Sequence, residues 1–177
     1  MPGGPPFHRD SCTGKVPPMP DTDASGPMSL DDATAHIHDA IPIVGAMGIR
    51  VLDGGVGHAT VELPAGPNGN HFGVLYAGSL FTAAELLGGL IPRTTFDLEG
   101  ELAGYVPLVK SSEIKFLKPA LGDVTATARL APEEAERVRR EALEKGKSEF
   151  VLYAEITDGQ GNVVATTRGL YQLRKLG

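Results

Sequence analysis

The stretch Asn70-His71-Phe72-Gly73-Val74-Leu75-Tyr76-Ala77-Gly78-Ser79-Leu80-Phe81-Thr82-Ala83-Ala84-Glu85-Leu86-Leu87-Gly88-Gly89-Leu90 decides how the rest of the chain is read. It begins as a polar turn that carries a glycine and passes into an apolar run. From Tyr76 to Leu90 there is a single charge, Glu85, and no proline. Leu80, Ala83 or Ala84, and Leu87 recur at i, i+3 or i+4, and i+7, which is helical spacing. A helix that is apolar nearly all round belongs in an interior, not on a surface. A carboxyl group inside it costs free energy unless it is hydrogen-bonded, ion-paired, neutralised or used. Glu85 is the residue the remaining sequence has to explain.

Asn70 and Gly73 precede the helix, and Tyr76-Ala77-Gly78-Ser79 would form its first turn. The first N–H groups of a helix lack intrahelical acceptors and carry the positive end of the dipole. The small residues Ala77 and Gly78 let a carbonyl oxygen approach them, which is the geometry of an oxyanion hole. Glu85 lies two turns further on, about 10 Å along the axis. One copy of the helix cannot easily aim both features at one carbonyl, whereas two antiparallel copies across a dimer interface could.

Upstream, residues 1–28 are rich in Pro, Gly, Ser and Asp and poor in large apolar residues, and read as a disordered or loosely packed tail. His8 and Cys12 fall there without neighbours that would fix a metal site. Residues 29–177 read as one domain. Ser29 is placed as an N-cap with Asp31 and Asp32 in the first turn of a helix that Pro42 ends. His36 and His38, at i and i+2, do not share a helix face and make a poor metal pair. Ile49 to Leu52 and Gly57 to Leu63 read as strands joined by the turn Asp53-Gly54-Gly55.

Downstream, Ile91-Pro92-Arg93 is expected to stop the central helix. Tyr105 to Leu117 reads as a long strand with Val106, Leu108, Lys110, Ser112, Ile114 and Phe116 on one face. If that face covers the helix, Lys110 and Ser112 form a polar notch in it. Val124 to Leu130 is another strand. Pro132 opens a helix over Glu133 to Lys145 with a thin apolar stripe, and Gly146 caps it. Lys147 to Thr157 and Asn162 to Arg174 are the last strands, around Asp158-Gly159-Gln160-Gly161. Strands outnumber helices and the connections are of hairpin length, so the layout is α+β, an antiparallel sheet around one buried helix.

Composition narrows the function classes. The net charge of −6 over 177 residues argues against a general nucleic-acid binder. A single cysteine excludes an intrachain disulfide framework and Cys-based metal clusters, so a reducing, cytoplasmic setting is expected. No stretch approaches a membrane span and the start of the chain lacks a signal-peptide apolar region. No metal or other cofactor is called for.

The order Asn70, Gly73, an aromatic at 76, two small residues at 77 and 78, and an acid at 85 resembles the hotdog-fold acyl-CoA thioesterases of the phenylacetate-pathway type. In that family the usual form is N-x-x-G-x-x-H-G-G followed by a helix carrying Asp or Glu. Phe116-Leu117-Lys118-Pro119-Ala120-Leu121-Gly122-Asp123 is similar to the family's F-L-x-P-A-x-x-G-D turn, and Asp158 to Ala165 resembles its final hairpin. The likeness spans roughly residues 43–174. It is nearest to a subgroup related to the C-terminal thioesterase domain of certain acetyltransferase fusions. Two positions depart from it: Tyr76 stands where many members have His, and Ala77 where they have Gly.

The resemblance implies a hotdog homodimer, with a homotetramer as the larger assembly, that hydrolyses an acyl thioester of coenzyme A or of a carrier phosphopantetheine. Glu85 would be general base or nucleophile, and Asn70 would orient water or substrate. The N–H groups of Gly78 or Ala77 would hold the thioester oxygen. Tyr76, His71, Gly73, Lys110, Ser112 and Lys118 are the expected substrate-binding residues, with Lys110 and Lys118 toward phosphate. Two other readings start from the same residues. One is a hydroxyacyl thioester dehydratase using His71 and Glu85, whose following P-x-x-P-x-x-P-G pattern this chain lacks. The other is a non-catalytic acyl-CoA-binding or interaction protein in which Glu85 is merely hydrogen-bonded in the core.

Overall fold

A computed structural model describes residues 28–176. The expected tail, Met28 apart, lies outside the described residues. The central apolar run forms helix α3 (Ala77–Thr95), with Leu80, Ala83, Ala84, Leu87 and Ile91 all buried. Burying each of the leucines and the isoleucine contributes roughly 1.5–3 kcal/mol, so this stripe anchors the helix.

Six strands surround it: β1 (Arg50–Gly55), β2 (His58–Leu63), β3 (Tyr105–Phe116), β4 (Val124–Arg129), β5 (Lys147–Asp158) and β6 (Val163–Lys175). They form one antiparallel sheet in the order β1-β2-β4-β5-β6-β3. Because α3 intervenes between β2 and β3, the chain crosses the sheet's concave face and delivers β3 to the far edge. Ala59, Val61 and Leu63, then Val124, Ala126 and Ala128, then Phe150, Leu152, Ala154 and Ile156 alternate inward toward the helix. The result is the expected hotdog, a sheet wrapped around one long helix.

Helix α1 (Leu30–Ala40) is capped as its sequence suggests, with Ser29 Oγ accepting from the Asp32 N–H at 3.1 Å. A short helix α2 (Pro42–Ala46) follows at once, with Pro42 in its first turn. The proline that ends one helix therefore begins the next. Helix α4 (Pro132–Lys145) buries Val138 and Ala142 and ends at Gly146, whose φ of +73° is the left-handed value a C-cap requires. The Tyr105 hydroxyl donates to the Ala142 carbonyl at 2.8 Å, and Ser148 Oγ donates to Glu141 at 3.0 Å. Ser148 alternates in phase with Phe150, so α4 packs on the same side of the sheet as α3.

Three local expectations are corrected. First, α3 does not stop at Pro92 but continues one turn to Thr95. An interior proline typically costs about 3 kcal/mol, and here the β1–β2 hairpin holds the extra turn in place. Thr94 Oγ1 donates to the Gly55 carbonyl at 2.7 Å, and Thr95 Oγ1 accepts from the Gly57 N–H at 2.9 Å. Second, Asp53-Gly54-Gly55 is strand, not turn. The pair Gly55 and His58 closes the hairpin around Val56 and Gly57, and a bulge between Val51 and Asp53 absorbs the extra residue. Gly57 has φ +75° and sits where a Cβ would lie 2.7 Å from the Leu130 carbonyl oxygen, so the turn needs glycine there.

Third, β3 does not keep one alternation along its length. A bulge between Val109 and Ser111 leaves Lys110 as the extra residue and inverts the phase. Tyr105, Pro107 and Val109 point with the inward residues of β6, and beyond the bulge Ser112, Ile114 and Phe116 take over that side. Lys110 and Ser112 therefore do not share a notch. Lys110 is exposed and paired with Glu149, which also accepts from Gln172 Nε2 at 3.1 Å.

Candidate active site

The loop before α3 is built around two asparagines. Asn68 is buried, and its Nδ2 donates to the carbonyls of Met47 at 2.7 Å and Pro64 at 2.8 Å, while its own carbonyl accepts from the Tyr76 N–H at 2.8 Å. Asn70 Oδ1 accepts from the Phe72 N–H at 2.8 Å and the Val74 N–H at 3.3 Å, an Asx-type turn. Gly73 closes that turn at φ +78°. With its oxygen committed, the Asn70 side chain keeps its NH₂ donors for another partner. His71 and Phe72 are exposed and pack on each other with ring centroids 3.9 Å apart.

Tyr76 is the N-cap residue of α3 in extended conformation, and its side chain makes no capping bond. The first backbone bonds of the helix run from Ser79 and Leu80 to the Tyr76 carbonyl, at 3.0 and 3.1 Å. Among the described residues the N–H groups of Ala77 and Gly78 have no acceptor. They are the free donors that a helix N-terminus presents. The Tyr76 ring lies against Gly78. Asn70, Ala77 and Lys118 line one open groove of about 360 Å³ together with Leu75, Leu80, Phe116 and Pro119.

Glu85 is not in that groove. Gly78, Phe81, Thr82, Glu85 and Gly89 form the partly exposed stripe of α3, so Glu85 and the free N–H groups lie along one face, two turns apart. The Glu85 carboxyl is half-buried, and burial alone raises its pKa above the ordinary glutamate value. Among the described residues it meets neither a hydrogen-bond donor nor a cation. A half-buried carboxyl with a raised pKa and no protein partner among the described residues is a candidate base.

The remaining expected residues are dispersed. Ser112 is half-buried on the helix side of β3, while Lys110 is held by Glu149 away from it. Lys118 is exposed at the groove. Tyr171, on β6, was not anticipated from the sequence. It is buried, and its hydroxyl donates to the Glu85 backbone carbonyl at 3.3 Å. Its only sequence signal is a pair of glycines, Gly88 and Gly169, that leave room for its ring.

Among the described residues no helix is long and apolar enough to cross a membrane. The fold defines a hotdog protein, one whose central helix opens on N–H groups without acceptors among the described residues. Residues 33–171 match the family model described as Domain of unknown function (DUF4442), and the chain belongs to that family. A Pseudomonas aeruginosa structure, PA5026, described as a protein of unknown function and probable thioesterase, is 39% identical, with a TM-score of 0.76 over 85% of this chain and 98% of that one. Two more distant structures share the fold. The Haemophilus influenzae thioesterase HI1161 is 18% identical (TM-score 0.65, covering 86% of this chain and 95% of that one). A mutant form of the P. aeruginosa thioesterase PA1618 is also 18% identical (TM-score 0.66, covering 86% and 98%). No curated protein matches the chain.

Proposed function

We propose that the protein is a thioester hydrolase acting on an acyl-CoA or acyl-phosphopantetheine, assembled as a homodimer. The observation that carries this reading is the half-buried, unpaired Glu85 on the same α3 stripe as the free N–H groups of Ala77 and Gly78. The thioester carbonyl accepts from the Gly78 or Ala77 N–H, and the Asn70 NH₂ orients the attacking water. Glu85 takes a proton from that water as its oxygen bonds to the carbonyl carbon. Negative charge collects on the carbonyl oxygen, where the helix N-terminus stabilises it. Collapse expels the thiolate, which leaves as thiol with the proton Glu85 had taken, and the acyl group leaves as carboxylic acid. The proton transfers need no group at Tyr76.

The two-turn separation makes each site the joint work of two copies. β3 supports this, because among the described residues it is an edge strand paired with β6 alone, and it exposes Leu108, Val109 and Phe116. An unpaired edge with an apolar flank is a template for pairing with another chain. A second copy meeting β3 about a two-fold axis would set the two α3 helices antiparallel, with Glu85 of one beside Ala77 and Gly78 of the other. Lys118, exposed where it lines the groove, would take a phosphate of the thiol carrier. Lys110 is engaged by Glu149 and has no part in this assignment.

The test is a panel of acetyl-, butyryl-, octanoyl- and phenylacetyl-CoA with free-thiol detection, on the natural chain and Glu85→Gln. Hydrolysis of at least one member, reduced by a factor of about 10³ or more in Glu85→Gln, is expected. Full hydrolysis by Glu85→Gln rules the mechanism out. Tight binding without turnover across the panel would make the protein a binder, and conversion of a 3-hydroxyacyl-CoA to its enoyl form a dehydratase.

A further inference from the structure

We propose that Tyr171 is a positioning residue for Glu85: its ring, locked between Gly88 and Gly169, keeps water from the Glu85 side of α3, and its hydroxyl ties the backbone of the same turn. The catalytic consequence rests on the thioesterase reading; the placement does not.

The ring is clamped from two sides. A Cβ on Gly88 would stand 1.9 Å from Tyr171 Cε1, and one on Gly169 would stand 2.4 Å from Cε2. Phe150 stacks on the same ring with centroids 5.6 Å apart and planes 19° from parallel. Three neighbours from α3, β5 and β6 thus hold one aromatic in one orientation. Gly88 is one turn from Glu85 on α3, so the ring fills the space beside the turn that bears the carboxyl. The hydroxyl's 3.3 Å bond to the Glu85 carbonyl is longer than usual for O–H···O, so the ring contributes more than the tether.

The electrostatic surroundings agree. Burial first, and the Glu85 charge second, hold the Tyr171 phenol well above its ordinary range, which puts it within electrostatic reach of the carboxylate. Among the buried and half-buried residues that the strands turn toward α3, the titratable ones are Tyr105 and Tyr171. The inward residues of β2, β4 and β5 are aliphatic, aromatic or Ser148, and Val51 is the buried residue of β1. Tyr105 spends its hydroxyl on Ala142. On α3 itself the other ionisable residue is Arg93, exposed and two turns beyond Glu85. Among the described residues no cation pairs with Glu85 to offset its burial.

The experiment is a carboxyl ¹³C NMR titration of the full chain labelled at glutamate Cδ, with the Glu85 signal assigned by its loss in Glu85→Gln. Tyr171→Phe keeps the ring and should leave the Glu85 midpoint where it is in the natural protein. Tyr171→Thr opens the space to water and should lower the midpoint measurably toward that of an ordinary glutamate. The acidic limb of kcat/KM should move with it, KM changing less than kcat. If Tyr171→Thr does not fold, Tyr171→Val suits a strand, opens most of the same space and carries the same expectation. An unmoved midpoint in the threonine or valine variant overturns the proposal, as does a Tyr171→Phe shift of equal size. The titration needs no turnover, so the two readings fail separately. Hydrolysis retained in Glu85→Gln removes the thioesterase mechanism, whereas an unmoved midpoint with Glu85→Gln inactive removes only the role of Tyr171.

Discussion

The ring of Tyr76 lies across the backbone of Gly78, so close that a Cβ on residue 78 would stand 2.5 Å from Tyr76 Cε1. Tyr76 is 57% exposed, so its ring can swing away. Gly78→Ala should therefore fold, with stability within about 1 kcal/mol of the natural chain, since alanine is also the better helix former. The methyl group and the displaced ring would crowd the N–H groups assigned to the thioester oxygen. A loss of kcat/KM of about tenfold or more is expected, read by free-thiol release on the best member of the acyl-CoA panel. Unchanged kcat/KM would place the oxyanion elsewhere.

Gly88 faces the opposite situation. Tyr171 is buried there and has no room to yield. Gly88→Ala should destabilise the protein by about 1–3 kcal/mol despite its better helix propensity, as overpacking does. Urea melts measure this directly. In a Tyr171→Leu background the same substitution should cost much less, and the double-mutant cycle reports the coupling.

The fold was legible because its signals repeat. The apolar period of α3, the strand runs of β2, β4 and β5, and the caps at Ser29 and Gly146 each follow from local chemistry, and each is found in place. What escaped depended on contacts distant in sequence. The turn of α3 beyond Pro92 exists because Thr94 and Thr95 bond to a hairpin some forty residues upstream. The bulge at Lys110, which turned it toward Glu149, has no marker in a strand whose pattern looked unbroken. At the candidate site, Glu85 stood out as a lone charge in an apolar run. Tyr171 did not, since an aromatic in a β-strand is ordinary until the glycines opposite it are known.

Asn68 is the hidden support of the loop that carries Asn70. Its amide joins the carbonyls of Met47 and Pro64, and its own carbonyl holds the start of α3 through Tyr76. Asn68→Leu removes the donors and leaves two carbonyls short of partners, at about 1–3 kcal/mol. Thermal unfolding should show that loss, and hydrolysis should fall with it as the loop loses its register. Asn70→Asp should behave differently. It keeps the Oδ1 acceptor of the Asx turn, so stability should change little, but it removes the NH₂ group assigned to water, so kcat should fall by about tenfold or more.

Glu85 ties stability and activity together through pH. Its pKa in the folded protein is raised, by burial, above its unfolded value near the ordinary 4.5. Between those two values the folded state binds more protons than the unfolded, so unfolding free energy falls as pH rises through that window. Above it, the ionised carboxyl weakens the fold by its full desolvation penalty, and below pH ~4.5 that penalty is absent. Glu85→Gln carries no such charge. It should be more stable than the natural chain at pH 7.5, and the difference should shrink as urea midpoints are compared toward pH 4.5. The same ionisation should govern catalysis, with kcat/KM rising with pH through the raised Glu85 value. The variant that gains stability at neutral pH should thus be the one that loses hydrolysis, the trade expected of an unpaired carboxyl kept for chemistry. If Glu85→Gln is less stable at pH 7.5, the carboxyl is satisfied in the folded chain and its assignment as base loses its physical ground.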